Sequence, residues 1–174
     1  GCRIVSLLPC DQTSCLNFEQ NALSSQGILG MSQKTIRVSA PCRIDFAGGT
    51  LDLWPLCALL GDVYTVNHAV TLRAQVTVEP LNKDRSEVHS EDLDLKLVVD
   101  DLDPGVDEGP LKLIALALRA LPPPSPVKVS IKSVVPKGSG LGASSTIMIA
   151  TLNALGRYRG KELSQAEYVA LARD

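Results

Sequence analysis

The amino-acid sequence predicts an α+β domain on three observations: short alternations of apolar and polar residues from Thr35 onward, an apolar helical run from Leu111 to Leu121, and a glycine-rich turn between a clear strand and a helix. The 174 residues and 18.5 kDa leave room for one ordinary domain. Residues 1–30 stand apart. They carry Cys2, Cys10 and Cys15 among scattered Ser, Gln and Asn with no sustained period, and so read as an irregular segment upstream of the domain, with Met31 as the natural start. The domain then covers residues 31–174 and is cut short inside its last helix.

Strands are expected at Thr35–Ser39, Cys42–Phe46, Val63–Val70 and Leu72–Val78, where Val76 and Val78 alternate with Gln75, Thr77 and Glu79. Asp52 to Leu60 forms a short apolar helix ended by Gly61, with Trp54 and Leu56 as core. A second β region spans Ser86–Val99, with Leu93, Leu95 and Leu97 on one face, and a solvated acidic loop, Asp100–Gly109, follows. Pro110 opens a helix over Leu111–Leu121, apolar nearly all round and so with little solvent face, and Pro122, Pro123, Pro124 and Pro126 close it. Val127, Val129 and Ile131 alternate with Lys128, Ser130 and Lys132 in the clearest strand. Ala143–Leu155 is a helix ended by Gly156, and Ser164 with Glu167 makes a capping box for the last helix.

Composition excludes several classes. A net charge of −2, a pI near 5.7 and 3% aromatics provide neither the basic field nor the stacking surfaces of a nucleic-acid binder. No apolar run reaches the ~18 residues that cross a bilayer. Ile4–Cys10 is too short and too interrupted for a secretory signal, and five cysteines without zinc-like spacing read as reduced thiols of a cytoplasmic protein. His68 reads as a core or edge histidine, and His89 as exposed.

The chemistry concentrates in Pro136-Lys137-Gly138-Ser139-Gly140-Leu141-Gly142-Ala143-Ser144-Ser145-Thr146. Its glycines let the backbone approach a ligand, the helix that follows presents unpaired amides, and Ser144, Ser145 and Thr146 add hydroxyls for phosphate or Mg²⁺. Lys137 adds a cation at the rim. A Walker A loop requires G-x-x-x-x-G-K-S/T, and no Lys follows Gly142. The dinucleotide pattern is met by Gly138-x-Gly140-x-x-Ala143 with Glu162 about 20 residues on, but Gly156–Lys161 is polar where that unit needs an apolar strand. A bare strand-to-helix turn is the remaining reading.

Pro136–Thr146 resembles the P-x-x-x-G-L-G-S-S-A motif of the GHMP kinases, the family of galactokinase, homoserine kinase and mevalonate kinase. Ser39-Ala40-Pro41-Cys42-Arg43-Ile44-Asp45-Phe46-Ala47-Gly48-Gly49-Thr50-Leu51-Asp52-Leu53 is similar to that family's N-terminal motif, in the A-G-G form of heptose-7-phosphate kinases and fucokinases. The resemblance covers Lys34–Asp174 and implies the GHMP kinase N-terminal domain, a mixed sheet with helices on one face. It further implies an ATP- and Mg²⁺-dependent kinase acting on a hydroxyl of a sugar or sugar phosphate. In that reading Pro136 to Ser145 hold the nucleotide, Ser144 coordinates Mg²⁺, Arg43 stabilises charge on the transferring group, and Asp45, Gly48, Gly49 and Asp52 face the acceptor. The family's first serine is here Ala143, with Ser145 positioned to compensate. Gly48-Gly49 replaces galactokinase's Gly-Glu, which disfavours galactose. Arg43 also has a plain role, pairing with Asp45 or Asp52, and Asp52 that of a helix N-cap. Family members run to about twice this length, with their catalytic Asp and second Mg²⁺ ligand further along, so the chain alone is expected to be inactive. Two other readings stay open: a nicotinamide-dependent oxidoreductase, and a non-catalytic relative that senses a ligand.

Overall fold

The computed structural model describes residues 3–6, 34–51, 56–60, 64–99, 111–136, 138–161 and 163–173. Ten elements follow in order: β1 (Arg3–Ser6), β2 (Ile36–Ala47), α1 (Leu56–Leu60), β3 (Tyr64–Pro80), β4 (Glu87–Ser90), β5 (Leu95–Val98), α2 (Lys112–Ala120), β6 (Val127–Ser133), α3 (Ala143–Tyr158) and α4 (Gln165–Arg173). Among them, β3 is the hub of a six-stranded mixed sheet. One edge of β3 takes antiparallel β2, while the other takes β1 in parallel at Tyr64–Asn67 and β6 antiparallel at Ala74–Pro80. Beyond β6 lie parallel β4 and then antiparallel β5.

The alternation in β3 and β6 is realised as expected. Ala74, Val76 and Val78 are fully buried, as are Val127 and Val129, because one sheet face carries the helices. Those strands pack with Val38 and Val88 against Ile114, Ala117 and Leu118 of α2 and Leu152 and Leu155 of α3 in one core. Such α+β layering, with its helices on one side of a mixed sheet, is the fold that the resemblance implied.

Several local expectations change. The four short strands at 35–78 are two long ones, since β2 runs through Pro41 and β3 through Thr71. Pro41 lacks an amide donor and sits where the register shifts before Arg43, an irregularity that absorbs the missing bond. Arg3–Ser6 forms a strand inside the segment expected to be irregular: four residues are too few to show a period, yet Ile4 and Val5 are β-branched and β3 offers an open edge. Leu56 is 38% exposed and so is not core. Trp54, Met31 and the acidic loop at 100–109 lie outside the described residues.

Helix α3 continues through Gly156, which is buried. A Cβ there would stand 2.9 Å from Tyr168 Oη and 3.0 Å from the Lys161 carbonyl, so this glycine serves close packing under α4. The stop comes at Gly160, with φ +72°. The Gly160 amide donates to the Arg157 carbonyl and the Lys161 amide to the Gly156 carbonyl, both at 2.9 Å, which is a Schellman closure. At the start of α4 the capping box is present: the Ser164 amide donates to Glu167 Oε2 at 2.7 Å and the Glu167 amide to Ser164 Oγ at 3.3 Å. These bonds hold the Glu167 carboxyl below its usual range.

His89 is half-buried and joins a charge cluster on β4. Buried Glu87 accepts from Lys83, from His89 Nε2 at 3.2 Å and from Lys96 Nζ at 3.2 Å. Hydrogen bonding from Lys83 above all, then from Lys96 and His89, takes the Glu87 carboxyl down to about 2 against the opposing effect of burial. The cluster ties the turn after β3 to the β4–β5 hairpin. No helix of the described residues is long and apolar enough to cross a membrane.

Candidate functional site

Strand β6 delivers the chain to buried Val135 and exposed Pro136, and the glycine loop begins there. Gly138, Gly140 and Gly142 have φ of +81°, +74° and +66°, while Ser139 and Leu141 between them stay outside that region. Alternating signs of φ turn successive amides toward one side, the arrangement that forms anion-binding concavities. Gly142 is the N-cap of α3 in the left-handed conformation, and no side chain caps the helix. The first amides of a 16-residue helix are thus left for a ligand, at the positive end of its dipole. Ser144 and Ser145 are exposed in that first turn. Thr146 is turned the other way, its hydroxyl donating to the Gly142 carbonyl at 3.0 Å, so it is not the phosphate-facing hydroxyl that the sequence suggested.

The two motifs, far apart in sequence, meet here. The Arg43 amide donates to the Leu141 carbonyl at 3.1 Å, stitching β2 to the glycine loop. Gly142 faces the Arg43 side chain so closely that a Cβ would lie 3.3 Å from Arg43 Cγ. Arg43 Nη2 pairs with Asp45 Oδ2 at 3.3 Å, one of the two carboxylates weighed as its partner. Next along the chain, Gly48 needs its φ of +75°, and a Cβ on it would stand 2.1 Å from the Tyr64 carbonyl. Its carbonyl accepts from Thr65 Oγ1 at 3.2 Å and from the Leu51 amide at 2.9 Å, which fixes the turn after β2. Gly49 packs on Asp45, where a Cβ would come within 2.8 Å of Oδ2. The A-G-G sequence therefore has a steric cause in this chain. Asp52 and Lys137 lie outside the described residues.

A cleft of about 670 Å³ opens beside the first turn of α3, lined by Leu93, Leu113, Leu116, Val134, Pro136 and Ser144 among others. The sequence reading placed none of the first four in a site. Leu111–Leu121 is apolar nearly all round because Leu113 and Leu116, both about 40% exposed, turn to the cleft while Ala117 and Leu118 face the core. That excess of leucine on the face away from the core was the available signal. Ala143 also lines the cleft beside Ser144, whereas Ser145 is not among its lining residues.

A loop of left-handed glycines at an uncapped helix N-terminus, met by a basic residue from a second strand and opening on an apolar cleft, has the geometry that suits an anion such as phosphate. A dinucleotide unit is not formed, for α3 leads through a turn into α4 and not into a strand. The family model for the GHMP kinases N terminal domain matches residues 110–174. Mevalonate kinase of Pyrococcus horikoshii is 41% identical over 58 residues, covering 33% of this chain and 17% of that protein. The crystal structure of Methanococcus jannaschii mevalonate kinase aligns over 82% of this chain and 45% of its own, with TM-score 0.66 and 22% identity. A D-glycero-D-manno-heptose 1-phosphate kinase from Bacteriodes thetaiotaomicron aligns over 80% of this chain and 46% of its own, with TM-score 0.67 and 27% identity. Residues 110–174 are thus similar to the GHMP kinases N terminal domain, the described fold is that of these two structures, and the chain spans less than half the length of either.

Proposed function

We propose that this domain is the nucleotide-binding part of an ATP- and Mg²⁺-dependent kinase that phosphorylates a hydroxyl of a sugar or sugar phosphate. The observation that carries the reading is the Arg43–Leu141 backbone bond, which brings a basic side chain from the N-terminal motif to the wall of the glycine loop. The amides of the loop and of the first turn of α3 would hold the triphosphate. The apolar cleft beside them suits the base and sugar of the nucleotide. An exposed, uncapped first turn bearing a serine hydroxyl fits a hard cation, and Ser144 is the residue that would hold Mg²⁺. When bound, that ion neutralises charge on the phosphates.

Arg43 then stands between loop and acceptor, where a fixed guanidinium stabilises charge on the group in transit. Positioning and charge neutralisation account for most of phosphoryl-transfer catalysis, so these residues would hold, orient and screen without covalent chemistry. Asp45, Gly48 and Gly49 would form the acceptor side, to which the same sequence motif adds Asp52. A second acceptor, mevalonate, is favoured by the names of several relatives, and the A-G-G sequence and the heptose phosphate kinase favour a sugar. The test is ADP release from MgATP by the intact protein with each acceptor. Acceptor-dependent release supports a kinase, and its absence with every acceptor supports a ligand-sensing relative instead.

A further inference from the structure

Strand β2 meets the glycine loop and the start of α3 through two of its backbone groups. One is the Arg43 amide, which donates to the Leu141 carbonyl at 3.1 Å. The other is the carbonyl of Pro41, two residues earlier, which accepts from the Thr146 hydroxyl at 3.4 Å. Having no amide, Pro41 offers a neighbour its carbonyl alone. The same Thr146 hydroxyl also reaches the Gly142 carbonyl at 3.0 Å. That carbonyl already accepts the Thr146 amide at 3.0 Å, so the hydroxyl satisfies nothing there that the helix leaves open. Threonine is a poor helix former, and a hydroxyl turned back on the carbonyl four residues earlier slightly destabilises a helix. Neither effect gives Thr146 a use within α3, whereas its bond to Pro41 joins residues 105 apart in sequence.

We infer that Thr146 is a positioning residue: its hydroxyl clasps β2 to the start of α3 and so sets where Arg43 stands relative to the phosphates. The inference rests on the kinase reading and names what holds its two motifs together. One hydrogen bond fixes a distance and leaves rotation about it, while two fix an orientation. The two bonds flank Cys42, and the Arg43 side chain next to them lies against Gly142, the N-cap of α3. Without the Thr146 bond, β2 can pivot about the Arg43–Leu141 bond and carry the guanidinium with it. The amides that would take the phosphates belong to the loop and to α3, so they keep their places.

The experiment measures ADP release from MgATP, and Tm, on the intact protein. The acceptor is D-glycero-D-manno-heptose 1-phosphate, L-fucose or mevalonate, whichever the wild type turns over fastest. Thr151 supplies the control, because its hydroxyl makes the same backward bond within α3, to the Ile147 carbonyl at 2.8 Å, and none to β2. Thr146→Val should lower kcat by about tenfold, since a misplacement of about 1 Å can cost about a hundredfold and the remaining bond limits the movement. KM for ATP should stay within about twofold of the wild type. Thr151→Val should leave kcat within about twofold, whatever it does to Tm, and Thr146→Ser, which keeps the hydroxyl, should do the same. A merely structural role would lower kcat in both valine variants alike or spare both, and either result overturns the inference. A raised KM for ATP at unchanged kcat in Thr146→Val also overturns it, since the hydroxyl then serves nucleotide binding. So does a tenfold loss of kcat in Thr146→Ser, whether or not Thr146→Val folds. All of these results leave the kinase reading standing. A wild type that releases no ADP with any of the three acceptors overturns that reading, and this inference with it.

Discussion

Replacing Gly142 with alanine separates what the glycine loop does for the fold from what it does for Arg43. At φ +66° an L-residue meets the left-handed penalty of about 1–2 kcal/mol, and Gly140 at +74° meets the same one. A Cβ on Gly140 has nothing within 4 Å, whereas one on Gly142 would stand 3.3 Å from Arg43 Cγ. Both variants should therefore lose similar stability, a fall in Tm of about 2–8 °C for a unit of this size. Only Gly142→Ala also pushes the arginine aside, by a few tenths of an ångström. Because displacements of about 1 Å can cost on the order of a hundredfold in rate, kcat for Gly142→Ala should lie about tenfold below that for Gly140→Ala. Differential scanning fluorimetry and ADP release on the intact protein read the two effects separately. Equal kcat for the two variants would refute the reasoning that Gly142 is small on account of Arg43.

Two further predictions concern the scaffold. Gly156→Ala should destabilise the protein although alanine is the better helix former by about 1 kcal/mol, since its Cβ would push against Tyr168 Oη at 2.9 Å and the Lys161 carbonyl at 3.0 Å; a rise in Tm would contradict this. Glu87 has its carboxyl taken from 4.5 down to about 2 in the fold, so its contribution is present above pH 4.5 and lost as the pH falls toward 2. Glu87→Gln should accordingly flatten the acid limb of a plot of urea midpoint against pH, and an unchanged limb would remove the Lys83–Glu87–Lys96–His89 cluster from the account of stability.

How much of this could be seen in the sequence depended on whether a residue's reason was local. Alternation in β3 and β6, the Ser164–Glu167 box and the glycine loop are written in neighbouring residues, and each was legible. The long continuity of β2 was not, because Pro41 looks like a breaker until its partner strand shifts register around it. Gly156 looked like a helix stop because its tight neighbours, Tyr168 and the Lys161 carbonyl, lie further along the chain and reach it only through the fold. The cleft was missed for a similar reason: Leu93, Leu113 and Val134 come from three segments and mean nothing as a group until the fold assembles them. The Arg43 and Asp45 pair stood out only through resemblance, and geometry supplied its physical content, with one carboxylate oxygen engaged and the other left over.

The central claim is that the first turn of α3 holds the metal-bound phosphates of ATP, and Ser144→Ala tests it most directly. Turnover of the intact variant should fall most at limiting Mg²⁺ and recover as Mg²⁺ is raised, with Tm unchanged because the Ser144 side chain is exposed. Turnover equal to that of the wild type at limiting Mg²⁺ would contradict the account.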